Sequence, residues 1–116
     1  MKLLEENTVK FKSKKFAVRI VKLYQYLTKD KKEYVLSKQI LRSGTSIGAN
    51  VREAQRGQSK PDFYTKLFVA LKEADETAYW LELLHESEYI DQSAFESVYA
   101  DCDEIIKLLT SITKTR

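Results

Sequence analysis

Apolar residues recur every three or four positions over most of this 116-residue chain, a spacing typical of amphipathic helices. The pattern predicts four helices, over about 8–27, 32–55, 60–86 and 92–113. No sustained alternation of apolar and polar residues predicts a strand. In the last segment the apolar positions form the kind of seam that helical bundles bury: Phe95, Val98, Cys102, Ile105, Leu109 and Ile112.

Capping residues mark where two of these helices begin. Ser59 is a preferred cap, Pro61 suits a first helical turn, and Asp62 favours the positive end of the third helix. Asp91 is the expected cap of the fourth helix. Long helices joined by short links predict one all-α domain over residues 1–116, folded as an antiparallel up-down-up-down four-helix bundle.

Gly44 and Gly48 lie inside the second predicted helix, where each is less favourable than Ala by about 1 kcal/mol. A break at Gly44 is therefore an alternative to one continuous helix. If the helix is continuous, two small residues four apart allow another backbone to approach closely. We expect that approach to come from a neighbouring subunit.

Small and polar positions from Gln39 to Leu84 form a specific motif together with the apolar ones. The motif comprises Gln39, Arg42, Ser43, Ser46, Ile47, Asn50, Val51, Glu53, Ser59, Asp62, Phe63, Leu67, Ala70, Glu73, Glu76, Trp80 and Leu81. With it, the chain from about Phe16 to Leu109 resembles bacterial four-helix-bundle proteins of the rRNA intervening-sequence family. Accessory variability proteins of diversity-generating retroelements are a related branch. Many members have Gly where this chain has Ala54.

The resemblance implies a homo-oligomeric ring, typically a pentamer. It also implies a gene within a ribosomal RNA insertion or beside a reverse transcriptase, which is the protein partner in the second branch.

The apolar content of the chain bears on its cellular location. The N-terminus lacks the apolar stretch of a signal peptide, and no run approaches the ~18 apolar residues that cross a bilayer, so we expect a cytoplasmic protein without membrane contact.

Charge divides the chain into two unlike halves. Residues 1–60 contain 15 Lys and Arg against 5 Asp and Glu, a net charge of +10. Residues 61–116 contain 5 against 12, a net charge of −7. Such a division indicates either a basic binding face beside an acidic one, or an attraction between the halves within one subunit or between neighbours.

The basic residues fall into two stripes. Within an arc of about 100° on the first helix lie Lys12, Lys15, Arg19, Lys22 and Lys29, with Tyr26 among them. Within about 80° on the second lie Lys31, Lys38, Arg42, Arg52 and Arg56. Such stripes suit the phosphates of RNA or DNA, and Tyr26 or an arginine can stack on unpaired bases. The alternative is a protein–protein scaffold whose basic faces meet acidic partners.

The third helix has more apolar surface than one core absorbs. Its surplus residues are Phe68, Val69, Tyr79, Trp80 and Leu83. They are either scattered surface aromatics or an interface between subunits, and we predict the interface, because Tyr and Trp are enriched there. Phe68, Tyr79 and Trp80 are its predicted centre, with Gly44 and Gly48 beside it.

Nothing in the sequence forms a catalytic constellation. Glu82-x-x-His85 has the spacing of half a di-iron site, but His85 is the single histidine, so we expect it near the end of the third helix. Ser43 has no nucleophile-elbow context, and Cys102 lies in the apolar seam of the fourth helix. We therefore predict a non-enzymatic nucleic-acid-binding accessory protein with no catalytic residue, metal or cofactor.

Overall fold

Four antiparallel α-helices form the protein in a computed structural model, which describes residues 2–114, with side chains from Leu4 onward. They are α1 (Lys2–Lys29), α2 (Leu36–Gln55), α3 (Lys60–Glu86) and α4 (Gln92–Lys114). Each packs against its two neighbours around a square, so that within the described residues α1 and α3, and likewise α2 and α4, lie at diagonal corners. The bundle measures 44 × 22 × 18 Å. The predicted all-α four-helix bundle is confirmed.

The core follows the predicted apolar stripes. The largest fully buried side chains include Phe16, Ile20, Leu27, Ile40, Ile47, Leu67, Leu81, Ile105 and Leu109. In α4 the predicted seam is buried from Val98 to Ile112, while Phe95 packs on the core from a partly exposed position. Burial of each such side chain stabilises the fold by about 1.5–3 kcal/mol.

The first loop ends four residues later than the sequence predicted. Glu33 is buried, and its carboxylate accepts hydrogen bonds from the backbone N–H groups of Leu36 (2.9 Å) and Ser37 (2.7 Å). Because Lys32, where the helix was expected to begin, has a φ of 56°, it cannot continue a right-handed helix. The side chain of Glu33 therefore caps α2, a role that Ser, Thr, Asp and Asn more often fill.

Helix α1 begins well before the predicted residue 8. Val9 is buried on the same stripe as Phe16, so the packed face extends about two turns from Phe16 towards the N-terminus. At that end the hydroxyl of Ser111 donates a hydrogen bond of 2.7 Å to Glu5, joining α4 to α1. These contacts with the rest of the bundle extend the helix beyond its local apolar signal.

Both internal glycines lie against α1 of the same subunit. A β-carbon on Gly44 would lie 2.8 Å from two side-chain carbons of Ile20, and one on Gly48 would lie 3.3 Å from the carbonyl oxygen of Ser13. Helix α2 is continuous through both positions. The close approach in the described chain is therefore made by α1, through the side chain of Ile20 at Gly44 and through the backbone of Ser13 at Gly48.

The predicted caps of the last two helices are present. Ser59 Oγ accepts a hydrogen bond of 3.2 Å from the N–H of Asp62, and Asp91 Oδ1 accepts one of 2.8 Å from Ala94. A buried pair of hydroxyls, those of Ser43 and Thr77, joins α2 to α3 at 2.8 Å. These polar contacts fix where the helices begin and how α2 and α3 align.

Candidate nucleic-acid interface

The ion-paired members of the two predicted basic stripes face opposite sides of the bundle. On α1, Lys12 Nζ lies 3.2 Å from Glu104 Oε2, and Arg19 lies 2.7 Å from Asp101 Oδ2, so this stripe borders α4. On α2, Arg42 pairs with Glu73 at 3.2 Å, so that stripe borders α3. Lys12 and Arg19 therefore face α4, whereas Arg42 faces α3.

Arg42 belongs to a hydrogen-bonded network between α2 and α3. Its guanidinium donates to Glu76 and to Glu73, and Glu76 also accepts a hydrogen bond of 2.9 Å from the indole N–H of Trp80. The hydrogen bond from Arg42, followed by that from Trp80, lowers the pKa of Glu76. Glu76, followed by Glu73, raises the pKa of Arg42. Arg42 is thus engaged within the subunit.

Five of the eight predicted cations make no ion pair within residues 2–114: Lys15, Lys22, Lys38, Arg52 and Arg56. All five are exposed. The ammonium of Lys15 lies 5.2 Å from the centre of the Phe11 ring, a cation–π distance that leaves its charge uncompensated. Lys12, Arg19 and Arg42 are partly neutralised by acids of α3 and α4. Attraction between the two halves of one subunit therefore accounts for part of the charge division.

Lys10 and Lys14 are exposed cations that the stripe analysis left out. A helix turns about 100° per residue, so each points roughly opposite to Lys12, which faces α4. They consequently lie on the side of α1 nearer α2. Gly48 lies opposite Ser13. Because α1 and α2 are antiparallel, Arg52, which is one turn after Gly48, lies at the level of Lys10, which is about one turn before Ser13.

The long middle part of the outer surface of α1 and α2 contains no acid, and the acids of these two helices, Glu5, Glu6 and Glu53, lie near their ends. No Asp or Glu occurs in residues 7–29 or 36–52. We call this surface the basic α1–α2 face, and its unpaired cations are Lys10, Lys14, Lys38, Arg52 and Arg56. The absence of acids in these two stretches is the sequence signal that could have identified Lys10 and Lys14.

The residues predicted to form a subunit interface on α3 differ in their exposure. Tyr79 is 54% exposed and Val69 is 37% exposed. Phe68 is half-buried, and Trp80 packs partly on the core and donates to Glu76. Among the predicted centre residues Tyr79 alone is classed as exposed, so the aromatic surplus partly serves the subunit itself.

Helix α1 has a larger exposed apolar stripe, which the sequence analysis missed. Leu4 is 66% exposed, Phe11 63% and Val18 50%, and the three recur every seven residues on one side of the helix. We call these three residues the α1 ridge. Lysines flank the ridge on both sides, so the charge pattern of this segment is more prominent than its apolar spacing of seven residues.

The other candidate sites have structural roles. Glu82 accepts a hydrogen bond of 2.8 Å from Tyr99, which raises the pKa of Tyr99 to about 12. The His85 ring stacks on Phe95 at 4.3 Å, in the last turn of α3. Burial raises the pKa of Cys102 to about 12, leaving a thiol unsuited to nucleophilic chemistry.

Across the described part of the chain, no three His, Cys, Asp or Glu side chains are placed to hold a metal ion. None of the four helices could cross a bilayer over its described residues.

The chain is similar to known proteins in both sequence and structure. The family model described as 23S rRNA-intervening sequence protein matches residues 5–111. The chain is also similar to the crystal structure of a protein with unknown function from the S23 ribosomal protein family of Bacteroides thetaiotaomicron. The two share 61% sequence identity over 95% of this chain and 98% of the other, with a TM-score of 0.94. No curated protein gives a significant match.

Proposed function

Because the chain belongs to the 23S rRNA-intervening sequence protein family, and because residues 7–29 and 36–52, which form most of its basic α1–α2 face, contain no acid, we propose that it is a non-enzymatic RNA-binding protein. The observation that carries the proposal is the set of exposed cations left unpaired there, after Lys12, Arg19 and Arg42 have paired within the subunit. The family's description supports RNA as the nucleic acid.

The basic α1–α2 face suits phosphates better than base edges. Lys38 and Arg52 lie 14 residues apart on α2, so the cations extend over roughly 21 Å along the helix. Lysine and arginine contacts with phosphates position a nucleic acid without selecting its sequence. We therefore expect binding that weakens strongly with salt and that discriminates little between sequences.

The test reverses the charge of this face without touching the helix contacts. Lys10, Lys14 and Arg52 are replaced together by Glu, and affinity for a fluorescent RNA hairpin is measured by anisotropy at increasing salt. The matched control replaces three exposed cations of α3 and α4, Lys72, Lys107 and Lys114, by Glu. Its net charge changes by the same amount as that of the first variant. The first variant should lose binding and the control should retain most of it.

Two outcomes would overturn the proposal. One is equal affinity in the two triple variants, which would mean that the face does not contact RNA. The other is an affinity for RNA that does not fall as salt rises. A parallel titration with duplex DNA of the same length reports whether the face prefers RNA. Arg42 is excluded from the variants because its replacement would disturb the contact between α2 and α3.

A second candidate function, a homo-oligomeric scaffold, is favoured by two exposed apolar surfaces of opposite charge. On α1, Phe11 has Lys14 and Lys15 one turn away. On α3, Tyr79 has the exposed Asp75 one turn away, whereas Glu76 beside it pairs with Arg42. We propose that the α1 ridge of one copy packs beside Tyr79 of the next, because apolar contact and complementary charge then act together.

A further inference from the structure

A groove opens between the end of α1 and the start of α4, near the α1 edge of the basic α1–α2 face. Its volume of about 490 Å³ lies within the range of roughly 300–1,000 Å³ that is usual for ligand pockets. Its lining residues come from both helices and the loop before α4: Arg19, Lys22, Leu23, Tyr26, Ile90, Asp91, Ala94 and Val98.

The groove combines an apolar lining with an accessible aromatic ring. Ile90 and Val98 are buried members of the core, and Leu23 packs partly on it. Tyr26 is 39% exposed and also lines a second cavity, at the end of the bundle, so its ring is accessible from two cavities. An exposed ring beside apolar side chains provides a surface on which a flat, aromatic ligand can stack.

Two lysines beside this ring have no acidic partner in the described structure. Lys22 lines the groove, and the ammonium of Lys31 lies 5.9 Å from the centre of the Tyr26 ring. Arg19 stands at the edge, held by Asp101 and by the hydroxyl of Ser97 at 3.0 Å. The acid of the groove, Asp91, already accepts the N–H of Ala94 as the cap of α4. Asp91 and, in the adjacent cavity, Glu88 balance part of the positive charge, so Lys22 and Lys31 are the groups that can meet an anionic ligand.

We propose that this groove binds one unpaired nucleotide of an RNA strand, with its base stacked on Tyr26 and its flanking phosphates beside Lys22 and Lys31. The proposal rests on the proposed RNA-binding function and adds to it a preference for single-stranded segments. A duplex keeps its bases stacked inside the helix, whereas a loop or bulge can place one base on an aromatic side chain. Duplex regions would then lie on the basic α1–α2 face while a looped base occupies the groove.

The experiment separates this site from the basic α1–α2 face. The probes are a single-stranded RNA carrying one 2-aminopurine, whose fluorescence reports stacking, and a fully paired RNA duplex. Tyr26→Ala should bind the single strand about 10-fold more weakly and lose the fluorescence change, while duplex affinity stays the same. Tyr26→Phe, which keeps the ring, should behave as the wild type. Tyr34→Ala removes an exposed tyrosine outside the groove and should change neither signal.

Failure of this site is distinguishable from failure of RNA binding. If Tyr26→Ala matches the wild type on both probes while the Lys10, Lys14 and Arg52 variant loses binding, the groove is not a base site and the proposed function stands. If Tyr26→Phe is as impaired as Tyr26→Ala, stacking is not the interaction and the inference is wrong. If the wild type binds neither probe, both proposals are wrong. Circular dichroism of each variant verifies that the helices remain.

Discussion

The carboxylate of Glu33 fixes the boundary between the first loop and α2. It is buried, and it satisfies backbone N–H groups at the start of the helix that would otherwise have no partner. A negative charge at this end also interacts favourably with the helix dipole. The same residue closes the loop, because its own N–H donates to the carbonyl of Leu27 at 2.9 Å and the hydroxyl of Ser37 donates to its carbonyl.

Replacement of Glu33 by Ala should therefore lower the free energy of unfolding by about 1–2 kcal/mol, the usual effect of losing a cap. The control is Glu53→Ala, which removes an exposed carboxylate of α2 that pairs with Lys66 at 3.0 Å. That surface pair should contribute less than about 1 kcal/mol. Urea unfolding followed by circular dichroism measures both variants. Equal losses in the two would show that Glu33 does not act as a cap.

Individual residues also show why the sequence could not predict which cations are neutralised by acids of another helix. Lys12 and Lys15 look alike in the sequence, yet Lys12 pairs with Glu104 of α4 and Lys15 has no acidic partner in the described chain. The difference depends on a helix some ninety residues away, and helical spacing alone carries no information about it. The absence of acids in residues 7–29 was visible from the start, because it is a property of the segment.

At the scale of the helices, the contact between α1 and α2 requires a residue without a β-carbon at position 44. Gly44 lies where any β-carbon would press on Ile20. On an exposed helix, Gly→Ala would stabilise by about 1 kcal/mol through helix propensity. Here the added methyl group must push α1 away or force Ile20 from its position, and overpacking of this kind destabilises by about 1–3 kcal/mol.

We therefore expect Gly44→Ala to lower the melting temperature, against its propensity. Ile20→Ala alone should be destabilising, because it leaves a cavity. The double variant should be less destabilised than the sum of the two single changes, since the new methyl group then occupies space that Ile20 has left. Thermal unfolding of the three variants measures the coupling. Additive effects would show that Gly44 does not limit the approach of α1.

Periodicity was sufficient to predict the four helices and the packing of α4, because the apolar seams are long and regular. It was insufficient at the two boundaries that tertiary contacts decide. The start of α2 depends on Glu33, and the start of α1 is joined to α4 through Glu5 and Ser111. The sequence also predicted a close approach at Gly44 but not its source, which in the described chain is the Ile20 side chain of α1.

At the scale of the whole molecule, the acidic and basic halves attract each other within the bundle, and charge remains on its outer surfaces. Helices α1 and α3 lie at diagonal corners of the bundle, and they carry the α1 ridge and Tyr79 on different sides of it. Two α1 ridges facing each other would bring lysines together, which disfavours a symmetric contact. The charges therefore favour a head-to-tail contact, which generates a ring or a filament.

This mode of assembly predicts that two defective variants can complement each other. Phe11→Asp damages the α1 ridge and leaves the Tyr79 surface intact, whereas Tyr79→Asp does the reverse. Each variant alone should be a monomer of 13.5 kDa in light scattering. A mixture should form a dimer with one copy of each, because one undamaged contact remains between them. Tyr34→Asp, on the exposed loop before α2, should keep the wild-type mass.

The alternatives give different masses. If the α1 ridges pack on each other, Tyr79→Asp will assemble like the wild type and the mixture will contain no dimer of the two variants. If the wild-type protein is itself a monomer at micromolar concentration, the exposed apolar surfaces do not mediate self-association. A head-to-tail contact requires both single variants to dissociate and the mixture to pair, since each copy contributes a different surface to the interface.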